Sequence, residues 1–116
     1  MPMQVGKPVS AGRREMEIPL TLAIPVSSVT MVPMEGKYVT ELELRFSVLD
    51  EKGNRSAVPV IPLRISSETA PKDGEYMRYD TKLKLRKIGQ HLVAAIYDPL
   101  SGKISTAEVD IVPPER

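Results

Sequence analysis

Cysteine and tryptophan are absent from this 116-residue chain, histidine occurs once, at position 91, and aromatic residues make up only 4% of it. Each shortage removes a class of chemistry. Without cysteine there is neither a disulfide framework nor a thiol nucleophile, and the redox compartment stays open. One histidine and no cysteine cannot supply the usual zinc ligand set, so neither a zinc centre nor a cofactor is expected. A Ser-His-Asp arrangement would have to rest on His91, and no Gly-x-Ser-x-Gly context accompanies it. His91 reads instead as a strand-entry residue with a solvated or hydrogen-bonded ring. Glycoside hydrolysis requires two carboxylates facing each other across a cleft, and the pattern singles out no such pair. The chain is therefore expected not to be an enzyme.

An excess of charge of either sign is also missing. Sixteen Lys and Arg against fifteen Asp and Glu leave a formal net charge of +1, which gives no electrostatic footprint for nucleic acid. No apolar run approaches the ~20 residues that span a bilayer, and the N-terminus lacks the apolar core of a signal peptide. Membrane insertion is not expected, and an export signal would have to lie outside this sequence. The length suits one ordinary domain with a core of its own.

What the chain does have is a period of two. Tyr38, Thr40, Leu42, Leu44, Phe46 and Val48 alternate with Glu41, Glu43, Arg45 and Ser47, the signature of a strand with one buried face. Asp50-Glu51-Lys52-Gly53-Asn54 then turns the chain back into a second apolar run, 57–65. Further strands follow the same logic. Met16, Ile18, Leu20, Leu22 and Ile24 form one inward row, with Pro19 predicting an edge position. Val26 to Pro33 reads as a short extended piece with Val29 and Met31 inward, followed by a turn at Glu35-Gly36. Met77, Tyr79, Thr81, Leu83 and Leu85 form another row, His91 to Tyr97 a central strand apolar on both faces, and Ala107, Val109 and Ile111 the last. No segment has helical periodicity. These strands predict an all-β fold, an immunoglobulin/fibronectin-III-like β-sandwich of about seven antiparallel strands, over residues 15–112. Residues 1–14, rich in Gly, Pro and positive charge, read as a flexible arm or linker, and 113–116 as a tail.

Three segments carry a family resemblance: Ile24-Pro25-Val26-Ser27-Ser28-Val29-Thr30, Leu42 to Asp50, and Leu92 to Gly102. They resemble the C-terminal β-sandwich region of bacterial, acidobacterial-type von Willebrand factor A-related domain proteins, over roughly residues 16–112. The resemblance implies an accessory module of a larger exported, adhesion-type protein, and so an extracytoplasmic (secreted or periplasmic) setting. It carries over no functional residues, because the adhesion domain's Asp-x-Ser-x-Ser metal motif is absent.

Three local features remain as candidates. Asp50, Glu51 and Asn54 in one turn and Asp98 in another could hold calcium if those turns met at one end, although the alternating pattern of a calcium loop is missing. Arg78, Lys82, Lys84 and Arg86, with Lys87, make a basic strand face. It serves either as a carbohydrate- or anionic-surface-binding site or as a solvated face paired with Glu41 and Glu43. The run 57–65 is apolar on both sides: Ala57, Ile61, Leu63 and Ile65 on one, Val58, Val60 and Pro62 on the other, with Pro59 and Pro62 marking an edge or bulged strand. The Val58, Val60 and Pro62 side is expected either to be shielded within the monomer or to pack on a protein partner: a neighbouring domain, the N-terminal arm, or another copy in a homo-oligomer.

Overall fold

The computed structural model describes residues 1–56, 58 and 60–114. Its strands are β1 (Met3–Val5), β2 (Val9–Ser10), β3 (Glu15–Pro25), β4 (Val32–Met34), β5 (Lys37–Asp50), β6 (Arg55–Ser56), β7 (Ile61–Ser67), β8 (Tyr76–Arg86), β9 (Gln90–Tyr97) and β10 (Ile104–Ile111). All pairings are antiparallel and build two layers. In the first, β3 lies between β8 on one side and β1 and β2 on the other. In the second, β10, β9, β5 and β7 follow one another, with β6 extending the β7 side and β4 pairing with the first residues of β5. This is the all-β sandwich that the alternating pattern predicts.

The core lies where the inward rows of the two layers meet. Met16, Ile18, Leu20, Leu22 and Ile24 of β3 are fully buried against Leu42, Leu44 and Val48 of β5 and Leu92, Ala94 and Ile96 of β9. Phe46 is half-buried and touches both halves of this core, so it joins them side to side. Truncating a buried Leu such as Leu44 to Ala costs about 2–5 kcal/mol. Glu35 and Gly36, at φ 50° and 79°, make the two-residue turn between β4 and β5, because a positive φ at both central residues matches the twist of the flanking strands.

The N-terminal stretch departs from the loose arm that its composition suggests. Met3–Val5 pairs with Leu20–Leu22, and Val9–Ser10 with Met16–Glu17, while Met3 and Val5 pack on the core. Pro19 accordingly sits in a central strand, not at an edge. The N-terminal stretch accommodates it by being broken there. Three residues, 6–8, stand opposite Ile18 and Pro19, and the Gly6 N–H donates to the Pro19 carbonyl at 2.8 Å. The proline nitrogen therefore faces a gap between β1 and β2, where no ladder donor is required.

Two other expectations change. Val26–Ser28 is a single 3-10 turn, not an extended piece, closed by the Val29 N–H on the Val26 carbonyl; Val29 packs on the core as its pattern predicts. On the second arm of the hairpin, Val48 faces Ser56 but Leu44 faces Ile61. One more residue separates Ser56 from Ile61 than separates Leu44 from Val48, a bulge that reverses the inward parity. Val58 consequently turns to the core while Val60 and Pro62 face water, so the three do not share a side. Leu63 is buried and Ile61 and Ile65 are half-buried, as expected. Ala57 and Pro59, and their expected inward and edge placements, lie outside the described residues, as do Glu115 and Arg116. β7 is an edge strand carrying Pro62.

Candidate interaction surface

The molecule is a rod of 51 × 23 × 22 Å. One end holds the close of β3, the β4–β5 turn and the β9–β10 turn; the other holds the β5–β6 turn, the start of β9 and the close of β10. β1 starts at the first end, opposite Leu22, and β10 finishes at the second, opposite Gln90. The ionisable groups in unusual surroundings sit mostly at these ends, tying turns to strands.

At the first end Asp98 is fully buried. Its carboxylate accepts the Thr30 N–H at 2.8 Å, the Leu100 N–H at 2.9 Å and the Ser101 hydroxyl at 2.9 Å. Burial pushes this carboxyl up, and those bonds, led by Ser101, outweigh it and hold its pKa below the ordinary carboxylate value. The Asp-Pro-Leu-Ser-Gly turn is thereby fastened to the loop after β3. At the other end Asp50 accepts the backbone N–H groups of Asn54 and Lys52 and lies 3.3 Å from Arg86, whose Nε also donates to the Ser56 hydroxyl. The Asn54 backbone bond contributes most to lowering the Asp50 pKa. Arg86 thus bridges the two layers. Asp50 and Asp98 stand at opposite ends of β9, about 26 Å apart at strand rise, so the two turns do not meet and the candidate calcium ligands do not converge. Among the described residues no group of three or more His, Asp or Glu could hold a metal ion.

Apart from Arg86, the paired cations of the β8 face find their partners within their own layer. Lys82 reaches Glu17 of β3 at 3.7 Å, and Arg78 meets Asp80, which also accepts the Thr21 hydroxyl. Thr21 is the main cause of the lowered Asp80 pKa, with Arg78 second. Lys87 bonds to the Ser10 hydroxyl. Lys84 makes no ion pair among the described residues. Glu41 and Glu43, the carboxylates expected to neutralise this face, lie in the other layer, facing Arg64 and bonded to Arg45 respectively.

The outer face of the second layer gathers the remaining features. His91 stands opposite Asp110, its Nδ1 2.8 Å from Asp110 and its Nε2 3.1 Å from Glu108. Asp110 first and then Glu108 raise its pKa. Along the same face Tyr97 lies under the Arg45 guanidinium, 5.0 Å from the ring centroid, and pairs with Ile104, which is 61% exposed. Leu100, in the adjoining turn, and Val32 and Met34 of β4 are also exposed. An apolar patch with a charged rim at one end of a sheet face is a feature of contact surfaces. Reading each strand singly hides it, since Tyr97 and Ile104 meet only through the register of β10 against β9. No family model, curated protein or solved structure matches the chain.

Proposed function

We propose that the chain is a non-enzymatic structural and interaction module, a β-sandwich that spaces and docks its neighbours as an accessory domain of a larger, exported, adhesion-type protein. The observation that carries this reading is the rod, with its first strand beginning toward one end of the long axis, its last strand finishing at the other, and the turns at each end held by buried or bridged carboxylates. Such an arrangement transmits position along its length. The groups that would attract attention as acids or bases, Asp50, Asp98 and His91, are all engaged in fastening strands and turns. The adhesion-type and extracytoplasmic part of the proposal rests on the family resemblance alone. The alternative, an anionic-surface site on residues 78–87, is weakened by the pairing of Arg78, Lys82 and Arg86 with acids.

A photo-crosslinking amino acid at Ile104, with another at Gly12 as control, tests the docking role when the chain is expressed within its full-length natural protein. Crosslinks from position 104 to a defined protein surface, absent from position 12, are expected. Equal labelling from both positions would contradict it.

A further inference from the structure

The layers have four lateral edges, and the chain treats them in two ways. The β1/β2 edge is split at residues 6–8, and the β6/β7 edge is split by the bulge and carries Pro62. Such breaks prevent strand addition. The other two edges, β8 and β10, have no proline, and each pairs with its neighbour without interruption, over eleven and eight residues respectively. They lie on opposite flanks of the sandwich. β8 lies on the flank where Arg86 meets Ser56, and β10 on the flank where the Met1 amine meets the Thr106 carbonyl at 3.2 Å.

Charge separates these two edges. The outward side chains of β10 include Glu108 and Asp110, and those of β8 include Lys82, Lys84 and Arg86. A protonated His91 offsets one of the two carboxylates and leaves the β10 pair net negative. Pairing β10 with a second β10 brings carboxylates together, and pairing β8 with a second β8 brings cations together, both unfavourable. β8 also carries Asp80, which can meet a cation of a second β8, but registers that overlap most of the strand still set other cations together; β10 against β8 joins only opposite signs.

Backbone geometry agrees. The Glu75 carbonyl and Lys87 N–H bond toward β3, and the Lys103 carbonyl bonds to Asp98 across the β9–β10 turn. By the alternation of an antiparallel ladder, the even residues of both β8 and β10 turn their N–H and C=O groups to the free edge. Those same even residues carry the outward charges. An antiparallel junction therefore satisfies the backbone bonds and keeps outward side chains outward on both molecules. It can set Glu108 opposite Lys84 and Asp110 opposite Lys82, with Val109 facing Leu83 on the inner side.

We infer that the acidic β10 edge of one copy of this chain accepts the basic β8 edge of a second copy in antiparallel register. The contact is head-to-tail and leaves a free β8 and a free β10 at the ends, so it builds open chains instead of a closed dimer. The inference deepens the interaction-module reading by naming the surface and the partner.

Sedimentation velocity from about 1 µM to 1 mM tests it, on wild type and on the double variants Glu108→Lys/Asp110→Lys and Lys82→Glu/Lys84→Glu, with circular dichroism to verify folding. Wild type is expected to sediment faster as concentration rises. Each folded variant alone is expected to associate at least tenfold more weakly, and an equimolar mixture of the two to regain association, because the reversed charges again meet opposite signs. Wild type that stays monomeric to 1 mM overturns self-pairing. So do variants that associate like wild type, or a mixture that does not recover. If the variants are unfolded, Glu108→Gln/Asp110→Gln and Lys82→Gln/Lys84→Gln replace them, and unweakened association then overturns the inference. Monomeric wild type with specific crosslinks from position 104 would leave the module reading standing.

Discussion

Asp98 shows how a side chain that resembles catalytic equipment is absorbed by the fold. A buried carboxylate is tolerated only when its lone pairs are filled, and here two backbone N–H groups and a hydroxyl fill them. Asp98→Asn keeps the shape but removes the charge and turns one oxygen into a donor facing donors. It is expected to lower stability by about 1–3 kcal/mol, read as a lower urea midpoint with unchanged slope; an unchanged midpoint would show that the turn does not depend on the charge. His91 gives a pH signature. Asp110 and Glu108 raise its folded pKa, so its contribution to stability is fully present below the unfolded value near 6.5 and is lost as pH rises through the folded value. Leu49, which also faces it from β5, brings no charge. The stability difference between wild type and His91→Gln should therefore shrink between about pH 6 and pH 8, and a difference that grew over that range would reverse the assignment. The sequence shows that His91 enters a strand; it does not show Asp110 and Glu108 beside it, because that neighbourhood depends on the register of β10 against β9.

Among the elements, β3, β5, β8 and β10 were legible from alternation and β9 from a run apolar on both faces, since each turns one row of side chains toward the core. β1 and β2 were not. They are only three and two residues long and sit among Gly, Pro, Lys and Arg, and only pairing to β3 makes strands of them, so tertiary contact overrides local preference. The same holds for Pro19, whose central position is possible only because the partner strand is broken opposite it. Gly6 is the residue that break depends on. A Cβ at position 6 would lie 2.7 Å from Cγ of the Pro19 ring, an atom with little freedom to move. Gly6→Ala is expected to destabilise the chain by about 1–3 kcal/mol, and adding Pro19→Ala should recover part of that loss. Thermal melts of the single and double variants form the test, and strictly additive losses would place the clash elsewhere. On the second arm, the sequence shows two apolar faces but not the bulge that sends Val58 inward and Val60 outward. A bulge leaves no mark in the hydrophobic pattern beyond a change of parity.

The whole molecule is a narrow sandwich whose two unbroken edges carry opposite charge and whose outer face bears an apolar patch near Tyr97 and Ile104. Its class could be read before folding, because alternation, turn residues and the absence of helical periodicity agree. The basic stripe of β8 could be read as well, but not that β8 and β10 are free edges or that Tyr97 meets Ile104, because these depend on strand order and register. Residue-resolved amide hydrogen exchange on the wild-type chain at about 10 µM and about 1 mM tests the account most directly. At the lower concentration the amides of Glu108 and Asp110 should exchange freely while those of Ala107 and Val109, bonded to β9, are protected. At the higher concentration the Glu108, Asp110, Lys82 and Lys84 amides should slow together, at least tenfold. Exchange at those four amides that is identical at both concentrations would contradict the account.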